Sequence, residues 1–149
     1  MCCITTCRSC KFEFIGETNY RECSKMMNNT IYNYLSKNGI DISRAHGSIL
    51  RDLKDYPSYY WGLKENNTRE FMELCQKEKI PIIGIDVLTN ENDFYELSFD
   101  IWCYQRKEDE KDDSFLLNSI KGASDYIKHF HQKKGLLFSF TVDEMLANY

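Results

Sequence analysis

The chain has 149 residues, of which 42% are hydrophobic and 28% are charged, and its formal net charge is −4. This length and composition predict one domain over 1–149 with a core of its own, and they exclude a largely disordered chain. No apolar stretch approaches the ~18 residues that a transmembrane helix needs, and the N-terminus lacks the apolar region of a secretory signal. A cytoplasmic protein with no membrane partner is therefore expected.

Helical patterns dominate the first half of the chain. Residues 1–16 fit a frayed terminus, in which the weak alternation of Lys11–Ile15 makes a short N-terminal edge strand an option. Apolar residues at helical spacing then predict one helix over Glu17–Lys37 and a second over Asp41–Lys54. The segment that follows, Tyr56–Trp61, is rich in aromatic side chains.

A third helix and a β-hairpin are predicted next. The helix starts at a capping box formed by Asn67 and Glu70, and it runs to Lys79. The hairpin strands cover Pro81–Leu88 and Phe94–Tyr104, because both segments are bounded by turn residues and alternate with a period of two.

The last part of the chain predicts a helix and a final strand. An acidic loop over 108–113 leads into a fourth helix with a regular apolar face, and Leu136–Val142 forms the final strand. Because a helix joins the last two strands, we expect them to run parallel, whereas the hairpin strands are antiparallel. The expected fold is α+β: a small mixed three-stranded sheet, with the N-terminal edge strand as an optional fourth, packed with about four helices.

The strand predicted over Phe94–Tyr104 alternates between two sets of side chains. One set is apolar and is assigned to the core: Tyr95, Leu97, Phe99, Ile101 and Cys103. The other set mixes carboxylates with aromatic rings, as protein-binding surfaces do, and is assigned to the outside: Phe94, Glu96, Ser98, Asp100, Trp102 and Tyr104. Further core residues are predicted from the other strands and the fourth helix: Ile83, Ile85, Val87, Leu116, Ile120, Ala123, Ile127, Phe138 and Phe140.

Negative charge is concentrated around this hairpin. Residues 86–113 hold ten acidic and three basic side chains, a net charge of −7, whereas the segments before and after are slightly positive. Such a field repels nucleic acid, which we therefore do not expect as a partner, and attracts a basic protein. For residues 108–113 alone, a solvated loop that carries charge for solubility explains the sequence equally well.

No catalytic or cofactor motif is present, so neither an enzyme nor a cofactor is expected. The chain has no phosphate-binding loop, dinucleotide fingerprint or nucleophile elbow. Four N-terminal cysteines lie too close together for a typical zinc site: Cys2, Cys3, Cys7 and Cys10. Without a secretion signal, all seven cysteines are expected to be reduced, with no metal bound.

The segment Ile82–Val87, with its Gly84-Ile85-Asp86-Val87 end, is followed by a hairpin strand that ends Phe99-Asp100-Ile101-Trp102. This combination resembles the immunity proteins of bacterial polymorphic-toxin and contact-dependent growth-inhibition systems. The resemblance covers about residues 68–142 and the order helix, strand, aromatic strand, helix and strand. It implies a protein that is not an enzyme, and that binds one cognate toxin, often a nuclease, to block or displace its active site.

Together, the residues and the resemblance predict that the chain neutralises a basic, nuclease-like toxin through the hairpin face. The predicted partner-binding residues are Asp86, Glu91, Asp93, Phe94, Glu96, Asp100, Trp102 and Tyr104. For Asp86 a buried structural role is the other interpretation, and it would require a hydrogen-bond partner. The alternative function is a small cytosolic ligand-binding domain or enzyme with a pocket lined by Tyr56–Trp61.

Overall fold

The computed structural model describes residues 29–42, 61–91 and 94–143. The predicted N-terminal edge strand, the four N-terminal cysteines and most of the helix predicted over Asp41–Lys54 lie outside the described residues. The same holds for the aromatic segment Tyr56–Trp61, of which only Trp61 is described. Within these ranges, no helix has the length and apolar character needed to cross a membrane.

Three helices and five strands form the described part of the chain. The helices are α1 (Asn29–Asn38), α2 (Glu65–Lys77) and α3 (Asp112–Lys128). The strands are β1 (Ile40–Asp41), β2 (Trp61–Leu63), β3 (Ile82–Glu91), β4 (Phe94–Cys103) and β5 (Leu136–Val142). The hairpin β3–β4, the helix α3 and the strand β5 lie where the sequence predicts them.

The strands form one sheet in the order β1-β2-β5-β3-β4, and every neighbouring pair is antiparallel. The α+β class is confirmed, but the mixed three-stranded sheet is wrong. β4 and β5 do run in the same direction, as their connecting helix predicts, but β3 lies between them and no parallel ladder forms. The strands β1 and β2 are too short to show an alternating pattern in the sequence.

The main core lies where α2 and α3 pack on the sheet. Phe71 of α2 lies 4.8 Å from Phe140 of β5, and Phe130, just after α3, lies 5.9 Å from Phe138, both between ring centroids. Seven of the predicted core residues are buried: Ile85, Val87, Ile120, Ala123, Ile127, Phe138 and Phe140. Because each large apolar side chain contributes roughly 1.5–3 kcal/mol when it is buried, this layer is the main source of stability.

Five of the predicted core positions are not buried, and two of these are Tyr95 and Cys103 of β4, each half-buried. The β3–β5 ladder shifts register between Ile82 and Gly84, so Ile82 takes the core position and Ile83 is only half-buried. Leu116 is also half-buried, because the neighbouring Phe115 faces inward on α3.

Ile101 is 45% exposed, and this reverses the predicted faces of β4. Trp102, not Ile101, is the cross-strand partner of the buried Ile85, and cross-strand partners share a face of the sheet. The aromatic side chains at this end of β4 therefore point toward the helices. The side chains of Leu97 and Phe99, also predicted for the core, lie outside what the structure describes.

The face of the sheet that points away from the helices is buried as well. Leu88 and Leu137 are paired on this face, at 0% and 3% exposure. Every residue of β5 from its second position to Val142 is buried. A strand with two buried faces is typically an almost continuous apolar run, which fits the sequence Leu-Leu-Phe-Ser-Phe-Thr-Val.

The start of α2 differs from the predicted capping box. The N-cap residue is Lys64, which makes no side-chain cap hydrogen bond. Asn67 lies within the first turn, and its N–H donates to the Lys64 carbonyl at 3.0 Å. The hydroxyl of Tyr34 on α1 lies 2.9 Å from the Asn67 carbonyl and 3.1 Å from the Glu70 carboxylate, so the two capping-box residues join α1 to α2 instead.

Candidate functional site

Two predicted contact residues, Trp102 and Tyr104, pack beneath α3. The Trp102 ring lies 6.3 Å from the ring of Tyr126, and the Tyr104 ring lies 5.8 Å from the ring of Phe115, both in stacked orientations. Trp102 also approaches Gly122 so closely that a Cβ atom there would lie 2.7 Å from its Cζ2. The outward orientation predicted for both rings is wrong, because they provide the contact between β4 and α3.

Four other predicted contact residues are either buried or have side chains that the structure does not describe. Asp86 is only 6% exposed, and its neighbours across the sheet are Ile101 and Ser139. Burying a carboxylate is costly unless it is paired, and Asp86 does have an interaction partner. Glu91 and Phe94 are cross-strand partners at the end of the hairpin, where only their backbones are described, and Asp93 lies outside the described residues.

Glu96 and Asp100 are exposed on β4, as predicted, and β4 is the edge strand of the described sheet. Between them, the Ser98 hydroxyl donates to the Val87 carbonyl at 2.9 Å and accepts a hydrogen bond from the Asp100 N–H at 3.3 Å. Ser98 thereby holds a register shift of the β3–β4 ladder in place. The exposed Ile101 lies on the opposite face of β4 from these two carboxylates, because successive side chains of a strand alternate.

The loop between β4 and α3 carries further exposed carboxylates. A strand rises about 3.3 Å per residue, so Asp100 lies roughly 10 Å from the point at which this loop begins. Leu117 of α3 is 53% exposed and lies one helical turn after Asp113, which places an apolar side chain at this surface. The term acidic face denotes the exposed carboxylates of β4 and the loop: Glu96, Asp100, Glu108, Asp109, Asp112 and Asp113.

Glu110 is the centre of a hydrogen-bond network that fixes the loop. Its Oε1 accepts hydrogen bonds from the Tyr104 hydroxyl and from Nδ2 of Asn118, each at 2.7 Å. Its Oε2 accepts a hydrogen bond from the N–H of Lys107 at 3.2 Å. Because these donors belong to the end of β4, the loop and α3, one carboxylate joins three parts of the chain, and hydrogen bonds to an ionised group are the stronger kind.

Arg106 holds the other side of the same loop. Its Nε and Nη2 donate to the carbonyl of Glu110 at 3.0 and 2.7 Å, and Nη2 also lies 2.5 Å from a carboxylate oxygen of Asp112. The guanidinium group lies 5.1 Å from the centroid of the Phe115 ring. The loop thus uses Arg106 for internal contacts, while Glu108 and Asp109 remain exposed.

The hydrogen bonds of this network favour the protonation states of Glu110 and Tyr104 on which they depend. Hydrogen bonds from Tyr104 and Asn118 hold the pKa of Glu110 below its ordinary value, because they favour the ionised carboxylate. Burial, followed by the hydrogen bond to Glu110, raises the pKa of Tyr104. Burial also raises the pKa of Tyr126 to about 12, with smaller contributions from the charges of Asp100 and Asp86. Near neutral pH, Glu110 is therefore ionised and Tyr104 carries the proton that it donates.

Sequence reasoning did not include the loop carboxylates or Leu117 among the contact residues. The charge run at 108–113 is plain in the sequence, but it is equally compatible with a solvated loop, and the spacing of Tyr104, Glu110 and Asn118 follows no known motif. A signal did exist for Leu117. Since three consecutive helical residues cannot all face one side, the run Phe115-Leu116-Leu117 requires one exposed apolar side chain.

A second feature is an open groove of 530 Å³ at the start of β5. Its lining includes three lysines from two separate connections, Lys64, Lys133 and Lys134. The pocket predicted along Tyr56–Trp61 is a different location. Trp61, the one described residue of that segment, does not line the groove and packs against the core.

The described cysteines contradict part of the redox prediction. Cys103 is disulfide-bonded, so the prediction that all cysteines are reduced is wrong for this residue. Cys75 is a buried thiol. Among residues 29–42, 61–91 and 94–143, no cluster of three or more His, Cys, Asp or Glu side chains could hold a metal ion.

Comparison with known proteins gives one match. The family model for Immunity protein 40 matches residues 52–142, which is more than half of the chain. No curated protein and no solved structure matches the chain. The matched region runs from before β2 to the end of β5, so it contains the whole acidic face and the three lysines of the groove.

Proposed function

The chain belongs to the Immunity protein 40 family, and from that membership we propose that it neutralises a basic, nuclease-like toxin by binding it at the acidic face. Membership itself implies a cognate toxin as the partner and suggests a non-enzymatic role. The observation that supports the rest is the loop around Glu110, where exposed carboxylates are presented on a backbone fixed by hydrogen bonds from three parts of the chain.

Charge is the first argument for a basic toxin. Residues 94–113 hold seven acidic and three basic side chains, a net charge of −4. A nuclease binds phosphates with lysine and arginine, so its active-site surface is positive. Complementary charge speeds the encounter of two such surfaces and disfavours wrong partners, which suits a protein that must intercept one toxin.

Rigidity and apolar contact are the second argument. A loop that is already ordered loses little conformational entropy when it binds, so more of the interaction energy appears as affinity. Leu117 is exposed one helical turn after Asp113 and can anchor the centre of the interface. In this proposal Glu96 and Asp100 contact the toxin, while Trp102 and Tyr104 support the contact surface from beneath.

Charge reversal tests the proposal directly. The double variant Glu108→Lys with Asp109→Lys should associate with the toxin encoded beside this chain at least tenfold more slowly at low salt, and its association rate should depend less on salt. The matched control is Glu73→Lys with Asp125→Lys, which makes the same charge change at exposed positions of α2 and α3. Stopped-flow kinetics over a range of salt concentrations measures both pairs. Equal association rates for the two double variants would rule out the acidic face.

The contribution of apolar contact to toxin binding is tested by the dissociation rate. Leu117→Ala should leave association nearly unchanged and hasten dissociation, because it removes contact area without removing charge. Tyr32→Ala is the matched control, since Tyr32 on α1 is 47% exposed and lies away from β4 and the loop in sequence. Unchanged dissociation in Leu117→Ala would remove this residue from the interface.

We place this encounter in the cytoplasm, where a nuclease meets its substrate. A stable disulfide at Cys103 is instead typical of an oxidising compartment. Trapping the thiols with an alkylating agent before cell lysis distinguishes the two. Alkylation of Cys103 in the intact cell supports the cytoplasm, and a protected Cys103 argues against it.

A further inference from the structure

The groove at the start of β5 lies between two connections of the chain. Lys64 is the N-cap residue of α2, while Lys133 and Lys134 belong to the connection from α3 to β5. Leu137 of β5 and Tyr95 of β4 provide apolar lining. Its volume of 530 Å³ falls within the range of about 300–1,000 Å³ that is common for ligand sites.

Positive charge prevails in this groove. The one acidic side chain of its lining, Glu65, is already engaged, because its Oε1 lies 2.6 Å from Nδ1 of His131. The ammonium group of Lys133 lies 5.4 Å from the centroid of the Phe130 ring, which restrains it at the rim. The groove therefore combines a positive rim with an apolar lining, and the charge is the reverse of the acidic face.

The backbone of β5 is a separate indication of what binds here. The β2–β5 ladder ends at the pair Leu63–Phe138, because the chain enters α2 two residues after Leu63. β3 still pairs with Leu136 and Leu137 on the opposite side, but no described strand pairs with them on the β2 side. Within an antiparallel strand, each residue directs its N–H and C=O to one side and successive residues alternate. One of the two leucines therefore presents both groups toward the groove.

We propose that the groove binds an extended acidic segment of the toxin, an inference that rests on the proposed function. The carboxylates of the segment contact Lys64, Lys133 and Lys134, and its apolar side chains contact Leu137 and Tyr95. Its backbone hydrogen-bonds to the open edge of β5. Recognition by strand addition works in this way, with affinity from backbone bonds and specificity from the side chains that alternate along the strand.

A nucleic acid strand fits the groove less well. The open edge of β5 offers both N–H and C=O groups, and phosphate oxygens can satisfy only the former. A peptide backbone satisfies both.

Peptide binding to the free protein is the first test, and it needs no toxin. The probe is a blocked hexapeptide in which glutamate and leucine alternate, and amide NMR shifts report binding. Saturable shifts at Tyr95 and at Gly135–Leu137 are expected. The same peptide with lysine in place of glutamate, and a single-stranded hexathymidylate, should produce no saturable shift at these amides. An absence of shifts with the acidic peptide, or equal binding of hexathymidylate, overturns the proposal.

A matched pair of variants locates the charge. Lys134→Glu should weaken binding of the acidic peptide roughly tenfold, because it replaces attraction at the rim with repulsion. Lys77→Glu makes the same charge change at the other end of α2, about 18 Å from its start, and should leave binding unchanged. Equal affinities for the two variants would show that the lysine rim does not recognise the peptide.

The toxin itself is the second test. Lys134→Glu should hasten dissociation of the toxin at least threefold, whereas Lys77→Glu should not. If the peptide binds but Lys134→Glu leaves toxin dissociation unchanged, the toxin does not occupy the groove and this inference fails. That result would leave the proposal for the acidic face unaffected. If the acidic-face variants bind the toxin normally and Lys134→Glu does not, the proposed face fails and the groove is the principal contact.

Discussion

The acidic face and the lysine groove carry opposite charges and are assembled in opposite ways. The acidic face comes from one stretch of chain, residues 94–113, and its loop is fixed by the network around Glu110. The groove takes Lys64 from one connection and Lys133 with Lys134 from another, far apart in sequence. The pairing of β2 with β5 brings these connections together.

This difference teaches which surfaces a sequence reveals. A charged surface built from contiguous residues appears as a local charge excess, whatever the fold. A surface assembled by strand pairing has no such signature until the sheet order is known. What the local excess does not reveal is whether the charges are held in place, and that depends on partners such as Tyr104 and Asn118 that lie on either side of the loop.

The largest expected effect concerns the support beneath the acidic face. Trp102→Ala should lower the free energy of unfolding by about 3 kcal/mol, because its ring packs between β4 and α3. Ile101→Ala, one residue away and 45% exposed, should lower it by less than about 1 kcal/mol. Urea denaturation measures both. Similar losses in the two variants would show that the faces of β4 are not divided as described.

A double-mutant cycle between Gly122 and Trp102 tests the same contact between β4 and α3. Alanine is favoured over glycine in a helix by about 1 kcal/mol, but a Cβ at position 122 would lie 2.7 Å from Cζ2 of Trp102. Gly122→Ala should therefore destabilise the protein by about 1–2 kcal/mol. In the Trp102→Ala background the same substitution should become neutral or stabilising. Additive effects would contradict a direct contact.

The acid stability of the loop depends on Glu110. Because hydrogen bonds hold its folded-state pKa below the ordinary value of 4.5, its contribution to stability is present above pH 4.5 and is lost as the pH falls through the folded-state pKa. Tyr104→Phe should move the pKa of Glu110 back toward 4.5, while Tyr32→Phe on α1 should not. Carboxyl NMR titration of the two variants provides the measurement, and identical midpoints would argue against the hydrogen bond.

The smallest effect is expected at the groove. The pair between His131 and Glu65 is largely exposed, with 81% of the His131 side chain accessible, so His131→Ala should change the free energy of unfolding by less than about 0.5 kcal/mol. Thermal and urea unfolding can establish this limit. A larger loss of unfolding free energy would mean that the pair holds the turn after α3 in place. Side-chain contacts would then order the groove as they order the loop between β4 and α3.

The sequence was sufficient for the elements with long, regular patterns. The hairpin, α3 and β5 follow from alternation and helical spacing, and the α+β class follows from their order. The faces of β4 could not be predicted, because both sets of side chains are large and apolar enough to pack, and the choice depends on Ile85 being the partner of Trp102. The position of β5 could not be predicted either, since β3, rather than β4, is its neighbour within the hairpin.

The central place of β5 in the sheet also bears on how the protein folds. β5 joins β2 to β3, and its register partners with β2, Gly62 and Leu63, lie far before it in the sequence. During synthesis the hairpin β3–β4 can form early from local contacts, but β2 has no partner on that side until β5 has been made. Non-local pairing of this kind slows folding and leaves a strand edge exposed meanwhile. We therefore expect that the hairpin carrying part of the acidic face takes shape before the groove, which can form only when the sheet closes.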